Sequence, residues 1–181
     1  MAACETVLTA LFSWMCPYIA TLAYPMALLV NLIGSASIFL PLPGFAFVFF
    51  LAGMGFDPWL LGIFGGLGAA IGEFTGYAIG FGGRKLAESR KKKGLLHARK
   101  KGWLEKAREW SRKRGVFFVL FLFAATPLPD DITGIIAGAI GYSMKKFFIA
   151  VLLGKLVMFT ALAWGGHFGA EWALNALGWG I

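Results

Sequence analysis

The chain is short of charge and of the side chains that usually carry chemistry. No Lys or Arg occurs before Arg84, and the first 83 residues hold only three acids, Glu5, Asp57 and Glu73. Charged residues make up 14% of the 181, where a soluble domain carries about 25%, so a soluble globular fold is excluded. There are two cysteines, Cys4 and Cys16, whose spacing matches no metal or redox motif, and both read as packing residues. His97 and His167 lie far apart, with no nucleophile and base or His/Cys set around them, so neither an enzyme nor a metal or cofactor site is expected. The N-terminus carries Glu5 and no basic stretch, which argues against a cleaved signal peptide.

What is present is apolar. Hydrophobic residues reach 59%, the mean hydropathy is +0.73, and there are 25 glycines and 7 tryptophans. These describe a single-domain, all-α integral membrane protein. The net charge of +8 could suggest a nucleic-acid partner, but 14 of the 17 Lys and Arg fall between Arg84 and Arg114, between apolar spans. That placement is the positive-inside signature, which puts the basic segment in the cytoplasm and the protein in the plasma membrane.

Two stretches resist a continuous spanning helix. Val116 to Tyr142 is long enough to cross a bilayer, yet Pro127 and Pro129 interrupt it and leave two arms, each about half a crossing in length. A hairpin that enters and leaves on one side fits better. Broken backbone at that depth is tolerated only where protein buries it or water reaches it. Ser35 to Phe56, broken by Pro41-Leu42-Pro43-Gly44, reads as a second such hairpin. Shifting the chain by 86 residues lays Pro41-Leu42-Pro43 on Pro127-Leu128-Pro129, Gly55 on Gly141, Gly68 on Gly154 and Gly80 on Gly166. Each hairpin precedes a long apolar helix, and the charge rule inserts the two from opposite sides. The expected architecture is an inverted repeat of re-entrant hairpin plus transmembrane helix, as in many transporters.

The expected boundaries follow. Residues 1–34 form an N-terminal region, either one long span from Val7 or an interfacial helix with a span from about Pro17. The first repeat covers 35–83, the basic cytoplasmic segment 84–114, the second repeat 115–167, and an interfacial tail 168–181. Within the basic segment Trp103, Leu104, Ala107 and Trp110 fall on one side of an interfacial helix. Gly68, Gly72, Gly76 and Gly80 recur every four residues on the span from Trp59 to Gly83, a pattern that lets another helix pack closely.

Four ionisable residues fall inside this scaffold: Glu73, Asp130, Asp131 and Lys155. Glu73 lies about 14 residues into its helix, close to the bilayer midplane at about 1.5 Å per residue. Lys155 lies near the centre of the last span. A charge there costs about 2.5–3.5 kcal/mol on the insertion scale, so such groups are paired or functional. Glu73 and Lys155 can be a structural ion pair. Asp130, after a proline and before a helical arm, can be an N-cap. The functional alternative has Asp131 and Glu73 loading protons, since desolvation favours the neutral form of a carboxyl group, with Lys155 as counter-charge or as binder of an anionic headgroup.

The run Gly68-Ala69-Ala70-Ile71-Gly72-Glu73, followed by Gly76-Tyr77 and Gly80, resembles the first-half signature of the DedA family, the VTT-domain membrane proteins. Pro41-Leu42-Pro43-Gly44 before Leu51-Ala52-Gly53, and the second Pro-x-Pro before Ala137-Gly138, are similar to its two re-entrant loops. Lys146-Phe147-Phe148 with Leu153-Gly154 matches the start of its last core helix. The resemblance covers residues 35–167 and implies lipid translocation, by proton-dependent flippases of polyprenyl-phosphate carriers or by phospholipid scramblases, with Glu73 as the membrane acid. The chain departs from that pattern at Phe45, where an acid is usual, and at Ala124 and Asp130, where arginines are expected. Lys155 lies outside the pattern. The missing arginines would be the natural phosphate partners. The expected partners are therefore membrane lipids and protons, with a homo-oligomer as an option. A proton-coupled small-ion or drug exchanger and a non-transporting membrane scaffold are the alternatives.

Overall fold

The computed structural model describes residues 16–37, 44–92, 115–126 and 131–176, and of residues 16–20, 91, 92, 131, 171, 173, 174 and 176 the backbone alone. Among these residues there are six helices and no strand: α1 Cys16–Ala36, α2 Gly44–Gly53, α3 Pro58–Lys92, α4 Gly115–Ala124, α5 Asp131–Ile140 and α6 Met144–Ala176. The proline motifs at 41–43 and 127–129, Asp130 and the interfacial helix expected around Trp103–Trp110 lie outside the described residues.

Local sequence explains where the helices stop and start. Gly55 and Gly141 have φ of 88° and 74°, a conformation that glycine adopts without the steric cost other residues meet. Each closes a short arm in the same way. Phe56 N–H donates to the Leu51 carbonyl (3.3 Å) and Gly55 N–H to that of Ala52 (3.0 Å). Tyr142 N–H donates to Ala137 (2.9 Å) and Gly141 N–H to Gly138 (3.1 Å). These are the paired bonds of a Schellman C-cap, and the second set is the first displaced by 86 residues. The long helices then begin alike, Leu61 N–H bonding the Asp57 carbonyl (3.0 Å) and Phe147 N–H that of Ser143 (2.9 Å). The Asp57 carboxylate also accepts from Leu60 N–H at 2.9 Å, an N-cap with proline as the first helical residue. At the end of α4, the Thr126 hydroxyl turns back on the Phe123 carbonyl (2.9 Å) before Pro127, which has no N–H to offer.

Three boundaries differ from expectation. The helix of the N-terminal region is 21 residues long and continues to Ala36 with Pro25 inside it, past the boundary expected at Ser35. Helix α3 continues past Gly83 to Lys92, with Arg84 bonded to Glu88 at 3.0 Å one turn on. Helix α6 does not stop at His167 but runs to Ala176. Its glycines are held by neighbours: Gly166 lies against the Phe49 backbone and Gly53 against Gly166 and Ala170.

Helices α3 and α6 are long and apolar enough to cross a membrane, and they form the centre. Gly62 faces Thr160, Gly66 faces Leu156, and Phe74 meets Phe148 edge-on at a ring separation of 6.2 Å. The order reverses along the two helices, so they run antiparallel. Helix α1 lies along α3 in the same direction, Leu28 against Gly68 and Leu32 against Gly72. Helix α5 also runs parallel to α3, Gly134 beside Gly76 and Gly138 beside Gly80. Helix α2 lies along α6, and α4 packs on α6 where Gly154 meets Phe121 and Ala124. Each short trailing arm thus packs on the long helix of the other half.

The four glycines at 68, 72, 76 and 80 serve two partners rather than one. Four residues exceed one turn by about 40°, so the stripe winds round α3, and its first two members receive α1 while Gly80 receives the Ile135 carbonyl of α5. A Cβ at Gly80 would overlap that carbonyl, and one at Gly166 would overlap that of Phe49, the position 86 residues before Ile135. Neither backbone can yield cheaply, so Gly80→Ala and Gly166→Ala should each lose about 1–3 kcal/mol through overpacking. Thermal unfolding in detergent should show both losses, with Gly83→Ala, which meets nothing within 4 Å, left near wild type.

Candidate functional site

The site grows from the crossing of α3 and α6. Glu73 and Lys155 project into it, and Lys155 Nζ lies 2.5 Å from Glu73 Oε1. Both side chains are almost wholly buried, 2% and 7% exposed. A buried charge without an opposite charge is too costly to persist, so this proximity is what permits either residue at that depth.

The end of α1, the end of α4 and the start of α5 lie beside the pair. Gly72, next to Glu73, lies against Ser35 and Ala36 at the end of α1, and the Thr75 hydroxyl bonds the Gly72 carbonyl (2.8 Å) and lies 3.5 Å from that of Ala36. From the other hairpin, Gly134 lies against the Glu73 and Gly76 backbone and Ala124 against Gly154, which precedes Lys155. Asp131 is the first residue of α5, one turn before Gly134. The backbone therefore brings Asp131 to the same end of the second hairpin as the ion pair. Asp130 lies outside the described residues, so of the four expected ionisable residues the structure pairs two and carries a third into their neighbourhood. His167 is remote from them, ringed by Trp164 and Phe168, and His97 lies outside the described residues.

Two polar residues escaped the sequence reading. Asn31 is buried (2% exposed), donates to the Ala27 carbonyl at 2.7 Å, and occupies the space that a side chain on Gly44 would need. Its signal was a lone amide in an apolar run. Tyr77 stacks on Phe74, Phe81 and Phe147, and its hydroxyl donates to the Tyr142 carbonyl at 2.6 Å. It thereby ties α3 to the turn that closes α5. The other turn is tied in a similar way, with Asp57 N–H donating to the Tyr24 hydroxyl at 3.2 Å.

Between α4 and α5 lies an apolar groove of about 130 Å³, lined by Val116, Leu120, Phe123, Thr133, Ala137 and Ile140. Its inner end is formed by Phe123 and Thr133, the neighbours of Ala124 and Gly134 in the bracket round the ion pair. Among the described residues no cluster of His, Cys, Asp and Glu has the makings of a metal site. The arrangement can hold one pair of compensating charges in an apolar interior and can present an amphipathic molecule with both surfaces at once.

Breaking the pair from one side leaves the other charge buried. Glu73→Gln or Lys155→Met alone should cost about 3–5 kcal/mol, while the double substitution should recover much of it, as measured by a double-mutant cycle on unfolding in detergent.

Residues 42–168 match the family model of the VTT domain. No curated protein and no solved structure matches the chain.

Proposed function

The chain belongs to the DedA family, whose VTT domain covers most of it, and we propose that this membrane protein moves a lipid between leaflets as a proton-coupled flippase or a scramblase. The observation that carries the reading is the buried Glu73–Lys155 pair at the meeting of both hairpin ends. A charged headgroup crossing a bilayer needs compensating charge near the midplane, and this pair supplies both signs there. An amphipathic substrate also needs apolar walls beside those charges, which the groove between α4 and α5 offers. That combination favours lipid over a small ion.

The finer architecture belongs to the same proposal. Two re-entrant hairpins facing one another in an inverted repeat are supported by the matched turns 86 residues apart, the antiparallel long helices and the exchanged short arms. The charge rule supports the basic 84–114 segment as cytoplasmic, and we place the protein in the plasma membrane. Proton coupling rests on Glu73 and Asp131. An entering anion that engages Lys155 competes with Glu73 for its partner, so the passage of the anion is tied to the charge on Glu73. Lys155 is the anion's partner in this scheme, in place of the arginines that the family pattern carries elsewhere. A purely structural ion pair in a membrane scaffold is the second reading, favoured by the near-complete burial of both side chains.

Liposomes carrying a headgroup-labelled lipid, in one series a polyprenyl phosphate and in another a phospholipid, separate the two readings. An impermeant quencher should reach inner-leaflet label only when the protein is present, at a rate that changes between two pH values. Glu73→Gln and Asp131→Asn should slow that rate roughly tenfold or more, a change of about 1.4 kcal/mol in barrier, and flatten its pH dependence. Undiminished translocation by the folded Glu73→Gln, Lys155→Met double variant would leave the pair with a structural role alone.

A further inference from the structure

The groove between α4 and α5 has a direction. Helix α4 begins at Gly115 and α5 ends at Ile140, so Val116 and Ile140 form its outer end, and Phe123 and Thr133 its inner one. At the outer end the charge is positive. The Arg84 guanidinium lies on Gly141, one residue beyond Ile140, in the space a side chain there would need. Lys145 and Lys146 follow within six residues and are exposed at the start of α6. Lys113 and Arg114 immediately precede α4 in the sequence. Glu88 is bonded to Arg84. The walls themselves are hydrocarbon, with Thr133 the one polar side chain among the lining residues.

We infer that this groove holds one acyl chain of an anionic phospholipid from the basic leaflet, with the headgroup on Arg84, Lys145 and Lys146. The complementarity is of two kinds at one place. An apolar trough about the length of a ten-residue helix accepts a hydrocarbon chain, and cations at its mouth select a negative headgroup over a zwitterionic one. A neutral lipid would gain the trough and forgo the cations. A second protein helix would gain no use of the cations unless it too were acidic, and it would need a wider trough than two neighbouring ten-residue arms leave. The inference rests on the transport reading in one respect: it supplies a loading position whose inner end adjoins the Glu73–Lys155 pair.

Photo-crosslinking on wild-type protein in liposomes tests it. The probes are phosphatidylglycerol and phosphatidylcholine carrying a diazirine on one acyl chain, each at low mole fraction, with labelled residues mapped by peptide mass spectrometry. Label from the phosphatidylglycerol probe should concentrate on Val119, Phe123 and Ile136 above Ile149 and Val157, which face outward from α6 with comparable exposure. The choline probe should show a weaker preference for the groove. Lys145→Gln combined with Lys146→Gln should lower the preference for phosphatidylglycerol at least about fivefold, the worth of a single lysine beside an anionic surface. Equal labelling of both faces by both probes would overturn the inference, as would clearance of the groove by unlabelled polyprenyl phosphate but not by unlabelled phosphatidylglycerol. Lipid exchange between leaflets is followed on the same vesicles. Exchange with uniform labelling removes the groove and keeps transport, whereas groove labelling without exchange removes transport and keeps the groove.

Discussion

Close approach of backbone to backbone, at glycines placed where two helices meet, is the constraint on which the rest of this molecule depends. Among lipid tails there is little hydrophobic gain in bringing one apolar helix to another, so contact between main chains must hold them. Gly62 and Gly66 admit α6, Gly68 and Gly72 admit α1, and Gly80 with Gly134 and Gly138 joins α3 to α5. At Gly62, Gly68, Gly72, Gly80 and Gly138 a Cβ would come within 3.0 Å of the neighbouring helix, and at Gly66 and Gly134 it would meet backbone at 3.1–3.2 Å. The short arms gain most from this. Ten residues form a helix about 15 Å long, too short to be stable by propensity alone, and α5 is held to α3 along nearly its whole length.

The same closeness sets the electrostatics. Glu73 and Lys155 stand on the two central helices where glycines bring the axes together, so two side chains of ordinary length meet across the gap. Each would be costly there without the other. The pair breaks the internal correspondence of the two halves, for the positions that match Glu73 and Lys155 at a shift of 86 are Phe159 and Ala69, both buried in the apolar cluster with Val48 and Leu61. Charge therefore lies in one place in a scaffold whose turns, caps and helix contacts occur twice.

Much of this could be read along the chain. The Pro-Leu-Pro breaks and the glycine matches disclosed the duplication because turn chemistry is local: a left-handed glycine and the cap that follows it require particular residues at particular places. Glu73 declared itself as an acid deep in an apolar run. Lys155 was legible as a membrane lysine, and its partnership with Glu73 was one of two readings, since spacing within each helix says nothing about the rotation of one helix against another. Tyr77 lay in plain view inside the Gly-Tyr-x-x-Gly motif, but the carbonyl it bonds belongs to Tyr142, 65 residues away. The spans expected to end at Gly83 and His167 continue as helix to Lys92 and Ala176, the second with Gly166 packed against the Phe49 backbone of α2.

The sequence by itself determined the family and the helical class of the protein and the two glycine turns that recur 86 residues apart, because hydropathy and glycine act over a few residues. Only the tertiary structure decided that the short arms exchange partners, that one glycine stripe serves two helices, that Glu73 meets Lys155, and that an apolar groove runs from a basic mouth to their side. These depend on which faces of separate helices come together, and that is fixed by contacts between residues far apart in the chain.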